Sequence, residues 1–178
     1  REALAMLERD GLVELNSYQN PRVANVTAKD VCEVYEMRLM VESWAVEQAA
    51  KNLTDEQIDH IYDLLQQASR EAAVNNYEPH LKVDLLLHET ILRSANNSLF
   101  WKLAERVHER SIHVRSLVEA KGTAQDIQTI IDEHRLIIEA LRAHNPEMAR
   151  KNMIAHLEAG YKRTLKVLDS QYLDEESD

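Results

Sequence analysis

YEPHLKVDLLLHETILRS, residues 77–94, carries the pattern around which the chain is organised. On a helix, residues four apart lie roughly 40° apart around the axis, so Asp84 and His88 share a face. Leu81, Leu85, Ile91 and Leu92 share it too, an apolar stripe expected to point into a core. A carboxylate and an imidazole on such a stripe are costly unless something pairs with them. Two later segments repeat the anomaly. His134 falls within the stripe Ile127, Ile130, Ile131, Ile137, Ile138 and Leu141, and His156 among Ala149, Met153, Leu157 and Gly160. One acid and three histidines, each where a helix should be apolar, are expected to converge on one point.

Outward from that stretch the pattern is helical almost everywhere. Thr27 is placed to cap a helix reaching about Lys51, and Thr54 with Gln57 forms a capping box for a helix ending near Asn76. Asn96-Asn97-Ser98 breaks the chain before a helix over about 99–120. Lys121-Gly122-Thr123 supplies a stop, a turn and a new N-cap for a helix ending near Asn145. Pro146 suits the first turn of a last helix running to about Gln171. Six helices with short connections predict an all-α fold, an antiparallel helical bundle. Ahead of it, Leu4 and Leu7 mark a short helix ending near Asp10 with Gly11 behind it. Two short apolar runs around Asn16-Ser17-Tyr18-Gln19-Asn20-Pro21 then read as a small hairpin. Opening on a helical pattern with no cap before it, the chain is expected to be cut from something longer.

Composition sets bounds on function. A chain of 178 residues with 44% hydrophobic and 29% charged residues is long enough for one good core. Three glycines and three prolines argue against an all-β fold, and the single Cys32 excludes an internal disulfide framework. No apolar run approaches the roughly 18–20 residues of a membrane span, so no membrane partner and a cytoplasmic location are expected. A formal charge of −10 makes most of the surface repel nucleic acid, and the acidic segment from Asp169 onward reads as a solvated end.

Each histidine taken singly is an ordinary hydrogen-bonded core residue. Together, Asp84, His88, His134 and His156 form a ligand set suited to a divalent metal, zinc first, with nickel or manganese as other choices. Arg38, between Tyr35 and Val41 on an inner stripe, calls for an anion, either an internal glutamate or a bound carboxylate. Arg115 is a weaker candidate of the same kind. His80 lies one turn before Asp84, as a supporting partner or a surface residue. His60, His108, His113 and His144 are expected to be surface or structural, and the tryptophans and methionines packing residues. There is no Gly-rich phosphate loop, no recognisable Ser or Cys nucleophile and no HExxH, so the chain is not expected to be an enzyme. A metal-dependent hydrolase with a helical-bundle active site is the alternative.

Arg1-Glu2-Ala3-Leu4, then Leu7-Glu8 and Gly11-Leu12-Val13, resembles the end of the winged helix-turn-helix of GntR-family bacterial transcription regulators. Asp30 to Glu42, with Val34-Tyr35-Glu36-Met37-Arg38, resembles the opening helix of the effector-binding (FCD) domain of the FadR subgroup. Asp84, His88, Asn96-Asn97, His134 and His156 fall where the metal-binding members of that subgroup carry their ligands. The resemblance implies a division into residues 1–26, a remnant of the winged helix-turn-helix, and 27–178, an effector- and metal-binding domain. It implies a regulator of operator DNA, dimeric, whose bundle binds a divalent metal and a small carboxylate effector coordinated to it. Arg38 and Arg115 would hold that carboxylate, and Arg1 would contact DNA phosphate. Asn16 to Val26 departs from the family in lacking a Gly-rich wing tip, and residues 1–22 hold three bases against four acids. The histidines argue against the acyl-CoA effector of the member that names the subgroup.

Overall fold

The computed structural model describes residues 2–9, 13–15, 20–121 and 123–175. Helix α1 (Glu2–Arg9) is followed by β1 (Val13–Glu14) and β2 (Arg22–Val23), which pair antiparallel with Val13 opposite Val23. The arms of the expected hairpin are thus present as two-residue strands. Arg1, Gly11 and the turn residues 16–19 lie outside the described residues.

Six long helices follow: α2 (Ala28–Asn52), α3 (Asp55–Ala72), α4 (Glu78–Arg93), α5 (Ser98–Lys121), α6 (Ala124–Arg142) and α7 (Pro146–Glu175). Five of the six starts are set by side chains that satisfy otherwise orphaned N–H groups, and α4 instead carries Pro79 in its first turn. Thr27 with Asp30, Thr54 with Gln57 and Thr123 with Asp126 each form a reciprocal capping box. Asn97 Oδ1 accepts from the N–H groups of Leu99 and Phe100, and Asn145 Oδ1 from that of Met148.

Two helices stop short of their expected ends. After α3, Asn75 takes the left-handed conformation (φ 62°), and the Asn76 N–H returns to the Glu71 carbonyl at 3.0 Å. After α6, His144 does the same (φ 44°), and the Asn145 N–H returns to Ala140 at 3.0 Å. Each closes its helix in the manner usually left to glycine, which is why a chain so poor in glycine hides these boundaries.

α2 is the central element, packed on α7, α5 and α4, while α6 packs on α7 and α3. Two apolar clusters result. The larger joins Ala45, Val46 and Ala49 of α2 to Leu87 and Ile91 of α4, Ile137, Ile138 and Leu141 of α6, and Met153 and Leu157 of α7. The smaller joins Val31, Val34 and Tyr35 of α2 to Val114 of α5 and Leu168 of α7. On α4 the buried face runs through His80, Val83, Asp84, Leu87, His88, Ile91 and Leu92, whereas Leu81 and Leu85 are half-buried. The stripe is rotated from its expected position, and the rotation takes His80 inside. Met153 is the buried methionine of the described set, while Met37, Met40, Met148 and Trp44 reach solvent.

Candidate metal centre

In sequence, Arg38 and Glu42 lie between the α2 residues of the small cluster and those of the large one, and Arg163 and Thr164 are similarly placed on α7. α4 presents His80, Asp84 and His88 on successive turns, α6 presents His134, and α7 presents His156. His88 and His134 are fully buried, and Asp84 and His156 nearly so. One ligand atom from each of Asp84, His88, His134 and His156 lies within 4.8 Å of the others. Opposite ligands on a metal with bonds of roughly 2.1 Å stand about 4.2 Å apart, so the four are close to binding distance.

The set is also oriented. Nε2 of His134 is 3.3 Å from Asp84 Oδ1, and Nε2 of His88 is 3.7 Å from it. Nδ1 of His88 meets Glu42 Oε2 at 2.5 Å, and Nδ1 of His156 meets Glu133 Oε2 at 2.8 Å. An Nδ1–H donated to a carboxylate leaves the Nε2 lone pair free for a cation, the arrangement that raises the basicity of metal-ligating histidines. Each carboxylate is in turn held by a guanidinium. Arg38 Nε donates to Glu42 at 2.6 Å, Arg163 makes a two-pronged contact to Glu133 at 2.7 Å, and Arg115 Nη1 donates to Asp84.

Burial and charge act in opposite senses here. Burial alone would raise the carboxyl groups of Glu42 and Asp84, but Arg38 and Arg115 beside them hold both well below the usual range. Burial pushes the His88 imidazole down to about 4 against the pull of Glu42. His134 is driven well below its ordinary value by burial and then by His156, and His80 is lowered by burial. Buried neutral imidazoles beside an ionised carboxylate are the protonation state a divalent cation requires.

Several buried polar atoms remain without a hydrogen-bond partner. They are Nε2 of His88, both ring nitrogens of His134, Nδ1 of His80, Nε and Nη2 of Arg115, and Nε of Arg163. A native interior rarely leaves such groups unpaired, and a concentration of them at one point marks a place for an ion or ligand. A cavity of about 50 Å³ opens beside them, lined by Arg38, His80, Asp84, Arg115 and His156, with Ile127, Ile130 and Arg163. By the same measure a single water needs roughly 10–15 Å³, so the space admits a small molecule.

All four residues singled out as ligands are therefore brought together, and Arg38 and Arg115 flank them. Arg38 takes an internal glutamate as its anion, four residues on in the same helix. Sequence reasoning missed Glu42, Glu133 and Arg163 as supports. Glu42 had a signal, the i,i+4 spacing from Arg38; Glu133 and Arg163 come from different helices and had none. Of the other histidines, His60 is exposed and His108 buried. His113 approaches the Ala24 carbonyl, and His144 contacts the Ala50 carbonyl and Asp55.

Residues 33–159 match the FCD domain. The chain belongs to that family. Among its relatives, the HTH-type transcriptional regulator YdhC of Bacillus subtilis (strain 168) is 28% identical over 172 residues, covering 95% of this chain and 75% of YdhC. The gluconate operon transcriptional repressor of Bacillus licheniformis is 26% identical over 156 residues, covering 86% of this chain and 64% of that one. The chain thus spans about two thirds to three quarters of these relatives' length. The FCD domain of TM0439 superposes in its metal-free form with a TM-score of 0.72 and in its Zn2+-bound form with 0.66, both at 24% identity. Those matches cover 83% and 82% of this chain, and 99% and 98% of that domain. Together they establish the all-α FCD bundle and the GntR-type kinship expected from the N-terminal motif and the Asp/His set. The relatives are transcriptional regulators rather than enzymes, and the hydrolase alternative is not favoured. Among the described residues no helix is long and apolar enough to cross a membrane.

Proposed function

We propose that this FCD protein is the sensing part of a ligand-gated, DNA-binding transcription regulator of the cytoplasm. Asp84, His88, His134 and His156 bind one divalent metal, and a small organic acid that coordinates the metal changes operator affinity. The observation that carries this is the convergence of four buried ligands on one point, two of which, Asp84 and His156, line a cavity together with the unpaired donors of Arg115 and Arg163. Three imidazoles and one carboxylate favour zinc, with nickel or manganese next. The metal would supply a positive centre for the acid's carboxylate. Arg115 and Arg38 stand beside it, Arg115 with two spare guanidinium donors. That one relative is a gluconate operon repressor and the TM0439 domain binds Zn2+ supports both halves of the proposal.

Residues 1–26 form the end of the winged helix-turn-helix, with Arg1 toward DNA phosphate, and residues 27–178 the sensor. Two copies associate so as to match operator half-sites. Exposed apolar side chains support this: Met37, Met40 and Trp44 on α2, and Leu99 and Leu103 on α5, with the Trp44 ring in tilted contact with Phe100 to join the two. The test is an anisotropy titration of the whole protein on its upstream DNA, with zinc or with chelator, and with or without a panel of small acids. Acid-dependent operator affinity that disappears with chelator is expected. Affinity indifferent to both would overturn the proposal.

A further inference from the structure

The charges around the cavity identify the class of acid. Three guanidinium groups (Arg38, Arg115 and Arg163) each contact one carboxylate: Glu42, Asp84 and Glu133 respectively. Positive and negative protein charges there are equal in number, and imidazoles acting as ligands are neutral. A divalent cation would therefore bring a charge of +2 into a buried site that holds no surplus anion. Burying uncompensated charge is expensive, and the ion's own charge has to be included in any account of such a site.

The spare donors show where the compensation goes. Arg115 already uses Nη1 on Asp84, yet its Nε and Nη2 are buried with no protein partner. Arg163 gives both terminal nitrogens to Glu133, and its Nε is also buried and unpartnered. Both arginines line the same cavity as the ligands Asp84 and His156. A single carboxylate on the metal would answer half of the added charge and leave these donors unmet. Ile127 and Ile130 add apolar surface to the lining, and the space is small.

From this we infer that the effector is a compact dianion, a short dicarboxylic acid. One carboxylate lies on the metal and the second is held by the spare donors of Arg115 and Arg163. The inference rests on the metal–carboxylate reading above and narrows it, since that reading alone would accept a monocarboxylate equally well.

The test is calorimetry and thermal shift on the zinc-loaded chain with acids matched in length, succinate against butyrate and malate against 2-hydroxybutyrate. At least one dicarboxylate is expected to bind ten-fold or more tightly than its monocarboxylate partner. Arg163→Gln, in samples matched for metal content, is expected to shrink that preference several-fold, and Arg163→Lys, which keeps the charge, to retain part of it. Circular dichroism melting confirms that each variant is folded, and the comparison on the parent protein does not depend on either. Equal binding of the matched acids would overturn the dianion while leaving the metal–carboxylate reading intact. Binding of no acid by zinc-loaded protein would overturn both.

Discussion

Two kinds of buried surface follow one another within a turn of α4 and of α6. Leu87, Ile91, Ile137, Ile138 and Leu141 are as buried as His88 and His134. The apolar set closes on itself, each side chain filling space made by the others. The histidines leave ring nitrogens without partners. Burial alone therefore says nothing about purpose. What separates the regions is whether the interior is complete without a further component: the apolar region is, and the polar one is not.

That contrast can be broken most forcefully from the apolar side. Leu87→Ala, one residue from His88, should cost about 2–5 kcal/mol of stability, as large-to-small core changes do. Urea denaturation should give the same loss with zinc and with chelator. A loss confined to the zinc-loaded form would mean that the two regions are not separate.

From the polar side, His134→Leu should remove the stabilisation by added zinc, worth about 4 kcal/mol at a thousand-fold excess over Kd. The metal-free protein should melt no lower than the parent, because the substitution exchanges two buried nitrogens that make no hydrogen bond for apolar packing. A metal-free variant several degrees less stable would show that His134 is a packing residue.

Acid should distinguish the regions next. A histidine lowered on folding is protonated more readily in the unfolded chain, so the unfolded state binds more protons at pH values between the two pKa values. With His88 at about 4 against an ordinary 6.5, the stability of metal-free protein should rise with pH across that window and level off above it. Denaturation midpoints measured from pH 4 to 7 check this, and a flat profile would contradict the buried neutral state of His88.

Glu133→Gln should have a smaller effect, since it touches the site through His156 and Arg163 only. Removing an outer carboxylate of this kind typically lowers metal affinity by about 10–100-fold. A competition titration with a zinc chelator reads that change, and unaltered affinity would reduce Glu133 to a partner of Arg163.

Legibility followed the same division. Asp84, His88, His134 and His156 stood out because each breaks an apolar period that the sequence displays openly. The helix starts were readable because Thr27, Thr54 and Thr123 carry their capping partners three residues on. The ends of α3 and α6 were not, because Asn75 and His144 take a conformation that leaves no glycine as a mark. Glu133 and Arg163 were hidden for a different reason. Their partnership crosses from α6 to α7, and spacing along one chain carries no trace of it. His80 became readable only once the exact rotation of α4 was known, since a shift of one position exchanges Leu81 for His80 on the buried face.

The central claim is that the polar region is completed by one metal, and elemental analysis tests it most directly. The untagged chain, purified without chelator or nickel resin and then exposed to zinc, nickel and manganese, should carry about one metal per chain. His134→Ala should carry far less. No metal in the parent protein after all three incubations would contradict the account.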